Sequence, residues 1–141
     1  MKRATLLIVI LIMWSSCIRE YETLTRFTIL NESNNNLTLT VFDFQVPDKS
    51  IVDTVFIIAD NMEISYYYRS DGRDAVYCCP FGIEADSAFI TFIDNRKLIY
   101  RRNDSNPRNI LNIDNFIRKE NKENVYELEY TVTEVDFNNA Q

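Results

Sequence analysis

Apolar and polar side chains alternate along several short segments of this chain, and a period of two is typical of β-strands. The clearest case is residues 37–44, L-T-L-T-V-F-D-F, in which Leu37, Leu39 and Val41 fall on one face and Thr38 and Thr40 on the other. Stretches rich in Asn, Asp or Pro separate the segments, so each strand is expected to be short. The pattern therefore predicts an all-β fold.

About seven strands are predicted in this way. The strand-like segments are 24–30, 37–44, 51–58, 62–69, 87–93, 97–101 and 125–133. The first two are interpreted as one hairpin, and the segments 87–93 and 97–101 as another. Both faces of this second pair carry apolar residues, which indicates a central position in its sheet. Seven short strands at this spacing favour an antiparallel β-sandwich, immunoglobulin-like or related.

Two further segments are predicted differently. The apolar positions of residues 109–117 are compatible with either a short helix or a bent strand, and their Asn and Asp content favours irregular structure. Thr133-Glu134-Val135-Asp136 is typical of a capping box, which predicts a short C-terminal helical turn. Phe137 is then expected to pack this turn against the sandwich.

The N-terminus has the order of charges expected of a secretory signal peptide. Lys2 and Arg3 are basic, residues 4–14 carry no charge, and Ser15 and Ser16 precede Cys17. The apolar run is about half the ~20 residues that a membrane-spanning helix needs. A buried helix of the folded domain is the alternative, but the run has no polar face.

Ser15-Ser16-Cys17 resembles the lipobox of bacterial lipoproteins, with Trp14 where that family usually has Leu. The resemblance implies cleavage before Cys17 and acylation of its thiol and amino group. It implies a signal peptide at 1–16, a lipidated tether at 17–23 and a domain at 24–141. The alternative for Cys17 is a free or disulfide-bonded cysteine in a secreted protein.

The blocks 85–92, 108–111 and 130–140 resemble small lipoproteins of Bacteroides-type bacteria, whose function is unknown. Glu20 and Glu22, just behind Cys17, resemble the surface-export signal of that group. The resemblance implies an outer-membrane location with the lipid bilayer as a partner through acylated Cys17. Surface exposure and the periplasmic face both remain open. Asp53-Thr54-Val55 and Asp86-Ser87-Ala88 resemble the O-glycosylation signal of the same bacteria, which implies candidate sites at Thr54 and Ser87.

Composition argues against most enzyme chemistry. The chain has no His, which is the commonest general base and the commonest metal ligand in proteins. It has only two Gly, too few for a glycine-rich loop that binds phosphate. We therefore expect no cofactor and no metal. Removing residues 1–16 leaves 125 residues, enough for one domain, with 13 basic and 21 acidic residues. This negative charge disfavours nucleic acid as a partner.

Cys78 and Cys79 are adjacent, and three interpretations stay open for an exported protein: a pair of thiols, a vicinal disulfide, or bonds to other chains. We expect a non-catalytic binding or structural module whose partner is an unknown envelope protein or glycan. The alternatives are a subunit of a surface assembly or glycan-uptake system, or an enzyme that acts on glycans. Asp71, Asp74 and Glu84 are the carboxylates considered for such an enzyme.

Overall fold

The structure is a computed structural model, and it describes residues 22–45, 51–71, 77–82, 85–122 and 125–141. In these ranges eight strands form two four-stranded sheets, and one short helix follows, which confirms the predicted all-β sandwich. The elements are β1 (Glu22–Glu32), β2 (Leu37–Gln45), β3 (Ile51–Ile58), β4 (Glu63–Asp71), β5 (Ser87–Phe92), β6 (Lys97–Arg101), β7 (Ile117–Lys122), β8 (Val125–Thr133) and α1 (Glu134–Asn139). The predicted signal peptide and Cys17 lie outside the described residues.

The sheets are built from strands that alternate between them along the chain. Sheet A has the order β4-β1-β8-β7, and sheet B has the order β3-β2-β5-β6. The predicted hairpin of the first two strands is therefore wrong, because β1 pairs with β4 and β8 while β2 pairs with β3 and β5. Residues 33–36 instead carry the chain from one sheet to the other. One pair, β1 with β8, is parallel, whereas the other pairs are antiparallel.

The core lies between the inner faces of the two sheets. Alternation turns Phe27 and Ile29 of β1 and Leu39 and Val41 of β2 into this core, where all four side chains are fully buried. Burial of each such side chain contributes about 1.5–3 kcal/mol. β8 alternates in the same way, since its even-numbered side chains from Tyr126 to Val132 are buried.

Aromatic rings fill the part of the core near β4. The ring of Tyr66 lies 5.7 Å from that of Phe27 and 5.6 Å from that of Phe44. Tyr68 stacks on Tyr77 with ring centroids 4.4 Å apart. In the run Tyr66-Tyr67-Tyr68, the first and third rings therefore pack between the sheets, and Tyr67 points outward.

The second predicted hairpin is confirmed, since β5 and β6 pair antiparallel around the turn 93–96. Only β5 is interior, because β6 ends sheet B. Residues 109–116 contain turns and a 3-10 turn at Ile113–Asn115. They lead into β7, whose sequence I-R-K-E-N-K lacks apolar alternation and was not predicted as a strand. Its position at the edge of sheet A explains this, because an edge strand can be polar.

The C-terminal helix α1 forms as predicted. The Thr133 backbone N–H donates to Asp136 Oδ2 at 2.8 Å, and the capping box is complete. Phe137 packs edge-on against Phe92 at 5.2 Å, so α1 reaches from sheet A to sheet B. Beyond the helix, Gln141 exchanges two backbone hydrogen bonds with Lys97 at one end of β6.

Candidate functional site

The outer face of sheet A is charged and internally paired. The guanidinium of Arg26 lies 3.4 Å from Glu63 and 3.7 Å from Glu127, and Lys119 lies 2.9 Å from Glu129. These side chains line an open groove of about 300 Å³. Each of its three carboxylates has a basic neighbour, but Arg26 is shared by two of them, so the groove is a solvated surface with a small excess of negative charge.

The outer face of sheet B is different in chemistry. Strand register places Val55, Thr40, Phe89 and Ile99 in one row across all four strands. A second row contains Ile57, Thr38, Thr91 and Lys97. This row lies nearer the end of the sandwich at which β1 finishes, away from the end at which β1 begins. We call these eight residues, together with Phe42 and Ile93, the apolar face. Its only charged member is Lys97, at one margin.

Several side chains of the apolar face are open to solvent. Ile57 is 81% exposed, Ile93 72%, Val55 59% and Ile99 53%. Phe42 and Phe89 are half-buried and meet edge-on, with ring centroids 5.1 Å apart. Single exposed apolar residues are normal, but a contiguous apolar patch marks a surface that binds another molecule.

A shallow pocket of about 260 Å³ lies at one end of the apolar face. Thr38 and Thr91 are paired across β2 and β5 in its lining, together with Ile57 and Ile93. Asn36, Leu37, Phe92 and Asn95 complete its lining. Apolar groups beside hydroxyl and amide groups suit an apolar side chain with a polar end, as at a protein interface.

The candidate glycosylation residues sit in different surroundings. Thr54 is half-buried and aligned with Val41, whose side chain is fully buried, so it faces the core side of β3. Ser87 lies on the outer face of sheet B, where its hydroxyl donates to Asp86 Oδ1 at 2.7 Å. The surroundings therefore favour Ser87 over Thr54 as an acceptor, and glycosylation of either stays a prediction.

Cys78 and Cys79 are joined by a disulfide. The turn around them is fixed on both sides, since the Tyr77 backbone N–H donates to Thr25 Oγ1 at 2.9 Å and that of Gly82 to the Cys79 carbonyl at 3.0 Å. Phe81 is fully buried with a φ of 65°, a left-handed conformation that is costly for a bulky side chain. Its ring lies 5.4 Å from that of Tyr66, which holds it in place.

Of the carboxylates considered for an enzyme, only Asp71 belongs to the described residues. Asp71 ends β4 as the backbone partner of Glu22, while Asp74 and Glu84 lie outside the described ranges. Within those ranges no group of three acidic or cysteine side chains could hold a metal ion. The carboxylate-enzyme hypothesis stays a prediction.

None of the helices in the described part of the chain is long and apolar enough to cross a membrane. No family model, curated protein or solved structure matches the chain. The apolar face was not predicted as a site. Its sequence signal was the presence of apolar residues on both faces of 87–93, which we interpreted as a sign of a central strand.

Proposed function

We propose that this protein is a membrane-anchored lipoprotein of the bacterial cell envelope that acts as a non-catalytic binding module. The observation that carries the proposal is the sequence Ser15-Ser16-Cys17 at the end of an uncharged run, five residues before the first strand. Two or three acyl chains on Cys17 would hold the domain on a membrane, since one chain gives only reversible binding.

The tether length supports a role close to the membrane surface. Five residues from Cys17 to Glu22 span at most about 17 Å when extended. The end of the sandwich at which β1 begins would therefore lie near the lipid, and the pocket at Ile57 and Ile93 would face away from it. The proposed location is the outer membrane, on either its surface or its periplasmic side.

The apolar face supports binding as the activity of the module. A sandwich with two solvated outer faces would have polar residues at most outward positions. Sheet A presents mainly charged side chains outward, whereas sheet B also presents five large apolar side chains among its polar ones, namely Phe42, Val55, Ile57, Phe89 and Ile99. Because the outward positions of sheet B combine isoleucine, valine and phenylalanine with threonine, its preferred partner is a protein surface rather than a charged polymer.

Lipid labelling in a bacterium that processes lipoproteins tests the anchor. The full chain should incorporate labelled palmitate and enter the detergent phase on Triton X-114 partition. Cys17→Ala should lose the label. The matched control is the double variant Cys78→Ser and Cys79→Ser, which should keep it because only the thiol at 17 is acylated. Label that persists in Cys17→Ala, or is lost in the control, would contradict the proposal.

One observation favours the alternative of an assembly subunit. β3 ends sheet B, and its sequence I-V-D-T-V-F-I-I carries a single charge over eight residues. Edge strands are usually protected by charge, and a long apolar one can accept a strand from another chain. In that case β3 rather than the centre of the apolar face would be the contact.

A further inference from the structure

The apolar face carries opposite charges at its two margins. At the β3 margin Asp53 is the outward residue next to Val55, and at the β6 margin Lys97 and Arg101 flank Ile99. Among the described residues, neither Lys97 nor Arg101 has an ion-pair partner within the chain. The face therefore runs from acidic to basic across four strands, with uncharged residues between.

We propose that the apolar face binds the same face of a second copy of this chain, about a two-fold axis parallel to the strands. Rotation about such an axis places the β3 margin of one copy over the β6 margin of the other. It sets Asp53 opposite Arg101 of the second copy, Val55 opposite Ile99, and Thr40 opposite Phe89. The same rotation sets Lys97 opposite Ile57 at the margin. The contact therefore pairs Asp53 with Arg101 and sets apolar Val55 against Ile99, as an isologous interface favours.

The other two-fold arrangements fit less well. An axis in the same plane but perpendicular to the strands would set Arg101 opposite Lys97 of the second copy, and like charges across an interface repel. Pairing of β3 with β3 in one continuous sheet would leave both apolar faces open. The axis parallel to the strands also keeps both β1 starts at the same end, so that, if the proposed lipid anchor is correct, both tethers reach one membrane.

The contact area predicts a weak dimer. Four strands about 4.8 Å apart and about six residues of about 3.3 Å each give a footprint of about 400 Å² per copy. The total of about 800 Å² is below the ~1,200 Å² of stable interfaces. Confinement of both copies to one membrane would raise their effective concentration and favour the dimer.

Cross-linking of the full chain in cells tests the dimer. Thr40 lies beside the proposed axis, so Thr40→Cys should give a dimer with a short bis-maleimide. Ser65→Cys, on the outer face of sheet A, is the matched control, and the parent chain gives the background from its own cysteines. The expected result is a dimer from Thr40→Cys at about tenfold the yield from Ser65→Cys.

A charge swap tests the axis in the Thr40→Cys background. Asp53→Arg should lower the dimer yield by about tenfold, because it places two arginines together. Adding Arg101→Asp should restore the yield. The proposal would be overturned by equal yields from Thr40→Cys and Ser65→Cys, or by a failure of the double change to restore the yield. A cross-link to a chain of another mass, or a glycan on Ser87 that covers the face, would also overturn it. Loss of the protein from the membrane fraction with the dimer intact would contradict the anchor alone.

Discussion

At the scale of single residues, one buried polar side chain holds the link between the sheets. The amide of Asn31 donates to the Asn35 carbonyl at 2.8 Å and to the Ile58 carbonyl at 3.0 Å. Its oxygen accepts from the Ser33 backbone N–H at 3.1 Å and from the Ser33 hydroxyl at 2.7 Å. Asn31 thereby ties the β1–β2 connection to the end of β3, and its hydrogen bonds are satisfied although it is fully buried.

Asn31→Ala should lower the free energy of unfolding by about 2–4 kcal/mol, because it leaves several buried partners unsatisfied. Chemical denaturation followed by circular dichroism measures the change. Glu32→Ala, at the exposed neighbouring position, is the control and should change stability by less than about 0.5 kcal/mol. A loss at position 31 no larger than that at position 32 would show that this network does not hold the connection.

The same residue explains the wrong hairpin. The Asn-rich stretch 31–36 favours a turn, but β1 continues to Glu32 and only residues 33–36 form the connection. The sequence does not reveal whether such a turn returns a strand to its own sheet or crosses to another. The difference depends on the hydrogen bond to Ile58, which is 27 positions away. Contacts at this separation leave no local pattern.

At the scale of elements, the C-terminal helix is fixed by one carboxylate. Asp136 is buried and accepts from the guanidinium of Arg108 at 2.5 and 2.6 Å while it caps the helix through Thr133. The same guanidinium donates to the Thr131 carbonyl at 2.8 Å. This bidentate pair joins the loop before β7 to the end of β8, and its hydrogen bonds raise the pKa of Arg108.

Asp136→Ala should therefore destabilise the fold by about 2–4 kcal/mol, since it removes a helix cap and leaves a partly buried guanidinium without its partner. Glu134→Ala, an exposed acidic residue of the same helical turn, should cost less than about 1 kcal/mol. Thermal unfolding of the two variants measures the difference. Similar losses would mean that charge at the helix start, rather than the pair with Arg108, provides the stability.

The sequence predicted part of this element. The spacing in Thr133-Glu134-Val135-Asp136 is local, so the cap and the helix were predictable from it. The pairing of Asp136 with Arg108 was not predictable, because Arg108 lies 28 residues earlier in a loop without a regular pattern. β7 was missed for a related reason, since a polar edge strand has no alternation to detect.

At the scale of the whole molecule, burial of tyrosine between the sheets links stability to pH. Burial raises the pKa of Tyr100 to about 12, and it also raises the pKa of Tyr66, Tyr68 and Tyr130. A raised pKa means that the folded state keeps the proton that the unfolded state loses near pH 10. The stability contributed is present below pH 10 and is lost as the pH rises through the folded-state value.

During titration to alkaline pH, part of the rise in phenolate absorbance should come late, above pH 10. In that late phase the rise should coincide with loss of tertiary structure. Tyr100→Phe should reduce the amplitude of that phase because it removes one buried hydroxyl. Tyr67→Phe, which changes an outward ring, should leave the late phase unchanged. Smooth ionisation of all tyrosines while near-ultraviolet dichroism stays native would contradict the burial of these hydroxyls.

The sandwich as a whole was predictable because alternation repeats in seven segments. The sequence did not predict which strands belong to which sheet. It therefore did not predict the contrast between a charged sheet A and an apolar sheet B. The sequence of 51–58 does not reveal which side of the strand Val55 and Ile57 face, and only the register shows them on the same outward face as Ile99.

The most direct test of the account is the accessibility of the apolar face in the cell. Thr40→Cys and Ser65→Cys are labelled with a maleimide in intact membranes, and each rate is compared with that of the same variant after dilution in mild detergent. The account predicts that Thr40→Cys reacts slowly in membranes and faster after dilution, while Ser65→Cys reacts equally in both. Equal rates for Thr40→Cys under the two conditions would show that the apolar face is uncovered and would contradict its role as a binding surface.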